Sequence, residues 1–345
     1  MKTERDYSID IFKGLLVIGM VYCHILQFFS DPEVYTGAQR VIDVVNIVTF
    51  SGFVFSFGYV GQLAYYSKPL KAVYGRMLST AVKTLIAFYI SGTYYRLFLD
   101  RKPLTWSTVK PILLLQDIPG WSEFLVSFSL IMLVGLVLFK PLTWLIERKL
   151  IFWVVVLLLL MTTYFPYDKV TVNQLGLLIG TRKFASFPVV QYFPYYLIGM
   201  YVARYRLGWN WKLFLGSFVS TGIFIAYVTV KHGLPERFPP SLFWILSSSF
   251  LVYLYFLVAK VLTLKMKYTK FLTVLGQNVL LYLLMSNMMI FTLKHNQDQL
   301  LLSTAEGFGF DVGILLLISF FIRIAINSKV YPRLPQVDKT GGVNL

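Results

Sequence analysis

One cysteine, Cys23, stands in the whole 345-residue chain. It excludes an intramolecular disulfide framework and a cysteine-built metal site, and on its own reads as a small buried hydrophobe. Histidine is almost as scarce, at His24, His232 and His295. Three scattered imidazoles with no HExxH and no carboxylate at ligand spacing make no metal constellation, so no metal is expected. There is no phosphate-binding P-loop, no dinucleotide glycine pattern and no Gly-x-Ser-x-Gly elbow, which removes the motifs of ATP hydrolysis and serine-hydrolase chemistry. Charge is thin as well: 14% of residues carry one, against about 25% in a soluble globular chain. Acids are the scarcer sign, 16 against 32 Lys and Arg, which leaves a net +16.

What fills the chain instead is apolar, 57% of residues, with 30 Phe and 23 Tyr. The sequence predicts an all-α polytopic membrane protein with ten spans, near 8–28, 42–66, 75–98, 119–139, 150–166, 184–203, 213–230, 241–260, 271–293 and 306–327. Most match the roughly 17–25 residues that cross a bilayer as helix. The first run is too long for the core of a signal peptide and contains Lys13 where a cleavage site would need small residues. Lys68, Lys71 and Arg76, then Arg148 and Lys149, then Arg204, Arg206 and Lys212, then Lys265, Lys267 and Lys270 recur on alternate connections. This is the positive-inside pattern with both termini cytoplasmic, and it accounts for much of the basicity without nucleic acid as a partner. Residues 1–328 read as one transmembrane domain and 329–345, with Pro332 and Pro335, as a short cytoplasmic tail.

The stretch from Asp10 to His24 concentrates chemistry in the first span. Eleven helical residues turn through about 1,100°, so Lys13 and His24 lie about 20° apart around the axis and about 16 Å apart along it. Asp10 precedes Lys13 by three and shares its side. A charge at membrane depth costs at least about 2.5–3.5 kcal/mol, so such a stripe faces protein or a wet cavity. His24 is the candidate general base, because imidazole titrates near neutrality and takes a proton from an attacking hydroxyl; the alternative is a hydrogen-bonded packing histidine. Lys13 suits an anionic group arriving from the cytoplasm, or a structural pair with Asp10. Arg76 at the cytoplasmic rim suits phosphates, or snorkels.

Other polar residues are candidates of lower rank. Glu123, at the outer end of the fourth span, orients His24 or sits at the interface; Glu123 or Asp10 is the acid expected to steady the imidazole or its charge. Asp311 in the last span poses the same question. Gln277, Asn278, Ser286 and Asn287 of the ninth span hydrogen-bond a ligand or neighbouring helices. On the outside, Arg182 and Lys183 grip an anionic glycan or lie among lipid headgroups. Tyr94, Tyr95, Tyr192, Tyr195 and Tyr196 stack on a sugar face or pack. His232 and His295 read as solvated loop histidines.

Asp10-Ile-Phe-Lys13-Gly followed by His24, eleven residues after the base, resembles the opening span of the acyltransferase-3 family of integral membrane proteins. Phe50-Ser-Gly-Phe-Val-Phe-Ser-Phe-Gly-Tyr, Phe193-Pro-Tyr-Tyr-Leu-Ile-Gly and Leu275-Gly-Gln-Asn-Val-Leu-Leu-Tyr-Leu-Leu are similar to later segments of that family, in the same order. The resemblance implies transfer of an acyl group, commonly acetyl from cytoplasmic acetyl-CoA, to a hydroxyl of an envelope glycan or its lipid-linked saccharide precursor at the bacterial plasma membrane. It implies His24 as catalytic base, Lys13 as the partner base of the motif, and Arg76 at the donor. Departures are Lys13 where arginine is commoner, Arg76-Met-Leu-Ser79 where a second arginine is usual, and Ser286 where histidine is frequent. The competing expectation is an exporter of polysaccharide or lipid-linked sugar with no acyl transfer; a third is a proton-coupled small-solute carrier.

Overall fold

The computed structural model describes residues 5–264 and 266–327, with side chains omitted at 266–268 and 326–327. The expected tail, Lys265 and the side chain of Lys267 lie outside what it describes.

Regular structure among the described residues is helical. Helix α1, Tyr7–Phe29, is capped by Asp6, whose carboxylate accepts from the Ser8 N–H at 2.9 Å, and it ends at Ser30, ahead of Asp31-Pro32. Helix α2, Thr36–Gly61, runs on into a π-helical turn, Gln62–Tyr66. Pro69 and Pro188, both extended, launch α3, Leu70–Phe98, and α9, Val189–Arg204. Between them lie α4, Trp106–Leu113; α5, Glu123–Val137; α6, Phe139–Leu145; α7, Lys149–Met161; and α8, Asn173–Ile179. After them come α10, Trp211–Lys231; α11, Leu242–Ser247; α12, Ser249–Thr263; α13, Met266–Gln277; α14, Val279–Asn296; and α15, Thr304–Asn327.

Each of the ten expected spans holds helix, but they are not ten straight rods. Five helices are long and apolar enough to cross a membrane, and seven are when two bent pairs each count as one span. Helix α5 meets α6 at 77°, and α13 meets α14 at 85° across Asn278. Helix α3 has the length, at 29 residues, but carries Lys71, Arg76, Lys83 and Arg96; α7 and α9 are short, at 13 and 16 residues. The 241–260 stretch divides at Ser248, whose hydroxyl bonds those of Ser51 at 2.8 Å and Tyr195 at 3.0 Å. The apolar patch at Val109 forms α4, which is eight residues long and buries only Ile112, too short to cross.

Helix α1 is the central element, packed by α2, α12, α13, α14 and α15. Its side chains Ile11, Phe12, Val17, Val21, Ile25 and Leu26 are fully enclosed. Burial of this kind contributes about 1.5–3 kcal/mol per large side chain where water is the reference; between helices in lipid, close packing and hydrogen bonds must do more of the work. The α2–α9 crossing shows how: a Cβ on Gly58 would fall 1.9 Å from the Tyr196 carbonyl oxygen and one on Gly199 2.0 Å from that of Phe55. Only reciprocal glycines let these backbones touch. By contrast α10 buries Phe224 alone and α15 exposes Leu316, Phe320 and Phe321, an apolar exterior suited to lipid and not to water.

The tyrosine clusters are mostly engaged within the protein. Tyr192 accepts from the Trp244 indole at 3.1 Å, Tyr195 donates to the Ile245 carbonyl at 2.6 Å, and Tyr196 bonds Tyr66 at 2.9 Å.

Candidate active site

Near the far end of α1, the Nδ1 of His24 lies 3.0 Å from Oδ1 of Asn287 on α14. The same amide donates through Nδ2 to the Trp121 carbonyl at 2.9 Å. That fixes which end of the amide faces the ring: Asn287 accepts, His24 Nδ1 carries the proton, and Nε2 is left as the basic nitrogen. No protein group among the described residues bonds Nε2. Trp121 is held in turn by its indole N–H to Gln27 at 2.7 Å and by stacking on Tyr95 at 5.9 Å. The imidazole is thus oriented through a chain of neutral hydrogen bonds.

A cavity of about 230 Å³ opens against His24. Helix α2 contributes Asn46, Thr49 and Phe50, the first turn of α5 contributes Glu123, and connecting loops contribute Phe187 and Arg237. Glu123 does not bond His24. One of its carboxylate oxygens is buried with no hydrogen-bond partner among the described residues, so the orienting role expected of Glu123 is filled geometrically by Asn287. Arg237 stands over the rings of Phe238, Phe187 and Trp244, at 4.6, 5.4 and 5.7 Å from their centroids. Burial lowers its pKa from the ordinary value, but guanidinium starts high enough to stay charged.

At the other end of the stripe Asp10, buried, is bonded by Lys13 at 3.0 Å and Arg5 at 2.9 Å, with Gln277 at 3.4 Å. Asp10 therefore belongs with Lys13 and not with the imidazole. A second cavity, about 290 Å³, is lined by Lys13, Thr80, Lys83 and Gln277 and by Gly276 and Val279 either side of the α13–α14 bend. Broken helix at membrane depth is tolerated where it lines such a space. Phe53 and Phe128 line both cavities and meet edge to face, their centroids 6.0 Å apart at 78°. Two chambers on one helix face share an aromatic wall.

Several expected site residues sit elsewhere. Arg76 is exposed on α3 and lines neither cavity; Lys83, two turns on, takes the place expected of it. Arg182 pairs with Asp168 at 3.0 Å and Glu236 at 2.5 Å, and Lys183 donates to the Thr171 carbonyl at 2.6 Å, so both brace loops outside the cavities. Asn278 and Ser286 hydrogen-bond the Val274 and Leu283 carbonyls of their own segment at 2.9 and 3.2 Å. Asp311 is buried in α15 with neither oxygen bonded among the described residues, away from either cavity lining. His295 bonds the Phe98 carbonyl at 2.7 Å instead of water, while His232 is exposed. Among the described residues no three His, Cys, Asp or Glu side chains gather as metal ligands would.

No family model and no curated protein matches this chain. The site therefore stands on its own geometry. Asn287 is one of four neighbouring polar residues with nothing local to single it out. Arg237 did carry a signal, the same one that marked Arg182: a cation on the side that the charge distribution assigns to the outside.

Proposed function

We propose that this protein is a membrane O-acyltransferase, moving acetyl from cytoplasmic acetyl-CoA to a hydroxyl of an envelope polysaccharide or its lipid-linked precursor. The observation that carries the reading is His24, its Nδ1 held by Asn287 and its Nε2 free, in a cavity that shares a wall with one lined by lysines. Ten crossings with both termini cytoplasmic, in a bacterial plasma membrane, put the Lys13 chamber inside and the His24 chamber outside. The phosphates of the donor meet Lys13 and Lys83, and its acyl arm passes Phe53 and Phe128. Nε2 of His24 takes the acceptor hydroxyl's proton as that oxygen attacks the thioester carbonyl. Collapse of the tetrahedral adduct breaks the C–S bond, and the leaving thiolate recovers the proton from the imidazolium.

Reconstituted protein supplied with labelled acetyl-CoA on the cytoplasmic face is expected to place label on glycan at the other face. Altered glycan export with unchanged acetylation would favour the exporter and sink the enzyme. If transfer holds, Asn287→Leu, which removes the acceptor for Nδ1–H, is expected to lower kcat by about a hundredfold with KM near wild type. It should also move the acidic limb of the pH–rate profile, a readout that loose packing alone would leave in place.

A further inference from the structure

Arg237 makes no hydrogen bond and no ion pair among the described residues, and its Nε is buried in full. The acid next to it in sequence is taken: Glu236 is held by Arg182 at 2.5 Å. Neither Glu123, which lines the same cavity, nor Asp43 comes within ion-pair distance of it. Three aromatic rings hold the guanidinium in place without satisfying any of its N–H groups. Its planar fork matches two coplanar oxygens of an oxyanion, and a half-buried cation with no ion-pair partner among the described residues favours a ligand that brings a counter-charge. The chamber, at about 230 Å³, is below the roughly 300–1,000 Å³ of pockets for drug-sized ligands, so it takes one sugar ring and not a long chain.

We infer that the His24 cavity is a receptor for an acidic sugar, whose carboxylate or phosphate is gripped by Arg237 while a neighbouring hydroxyl is offered to His24. The unbonded oxygen of Glu123 accepts from a second hydroxyl of the same ring. The inference rests on the acyltransferase reading for its purpose, but binding tests it separately.

Titration of purified His24→Gln protein, which removes turnover, with methyl glucuronoside, methyl glucoside 6-phosphate and methyl glucoside gives three arms. At least one acidic probe is expected to bind about ten- to a hundredfold tighter than the neutral one; which acidic arm succeeds distinguishes uronate from sugar phosphate. Adding Arg237→Gln should erase that preference, and Arg237→Lys, which keeps charge but loses the fork, should reduce it. Equal binding of acidic and neutral probes overturns the inference, whatever the variants do, as does a preference that survives Arg237→Gln. Should Arg237→Gln not fold, Arg237→Lys decides: an undiminished preference overturns the bidentate grip. Selective binding without acetyl transfer in wild-type protein would count against the enzyme and leave this receptor standing.

Discussion

His24→Gln is expected to reduce acetyl transfer by about 10²- to 10⁴-fold, the share that a positioned general base contributes. Glutamine is the informative replacement. It approximates the imidazole's bulk, and its flexible amide can turn an N–H toward Asn287 Oδ1, the acceptor now 3.0 Å from the ring, while nothing in its place accepts a proton near neutrality. The variant should therefore insert, purify and melt like wild type. Transfer measured with labelled acetyl-CoA at saturating donor separates the two possibilities: near-background turnover in a well-folded variant supports the base, whereas turnover within a few fold of wild type removes His24 from the chemistry. A packing histidine would give the opposite pattern, with stability falling and the rate per folded molecule unchanged.

The largest expected stability effect falls at Gly276. A Cβ there would sit 1.7 Å from the Asp10 carbonyl oxygen and 2.6 Å from its carbon. Backbone cannot rotate aside as a side chain can, so even Gly276→Ala must push α13 off α1. Overpacking typically costs about 1–3 kcal/mol, and a collision with main chain belongs at or above the upper end. Helix displacement would also part Gln277 from Asp10, now 3.4 Å apart, and disturb the chamber that Lys13 lines. Thermal unfolding in detergent should show a clear drop in Tm, with Gly216→Ala on α10 as the control. Nothing stands within 4 Å of a Cβ at Gly216, so there alanine's better helix propensity should be neutral or slightly stabilising. An equal melting temperature for the two variants would mean that α1 and α13 do not lie in contact.

The stripe on α1 was legible because helical periodicity is local: Asp10 and Lys13, three apart, do meet, at 3.0 Å. The apolar runs were legible as helix for the same reason. What lay beyond reach depends on distant pairing or on single residues. The partner of His24 is 263 residues away, and no spacing rule separates Asn287 from Asn278 or Ser286, which bond their own segment. Hydropathy averaged over a span's length does not register the bend at Asn278, though that bend brings Gly276 and Gln277 to the second cavity. Arg76 and Lys83 both lie on α3 near its start; only the packing of α3 against its neighbours decides which one reaches the chamber. Arg182 and Arg237 look alike as external cations, and the difference lies in which of them Glu236 meets.

The Phe53–Phe128 wall has a consequence for the cell's energetics. If the two chambers open to opposite compartments, as the proposed transfer requires, a continuous column of water along α1 would short-circuit the electrochemical gradient. Two edge-to-face rings, backed by Phe57 stacked on Phe128 at 4.8 Å, make a low-dielectric plug that a hydrated proton or sodium ion crosses only at the cost of shedding its water. On the proposed transfer, an uncharged thioester arm would meet a far lower desolvation cost than an ion, so the same plug could part for cargo and stay shut to current.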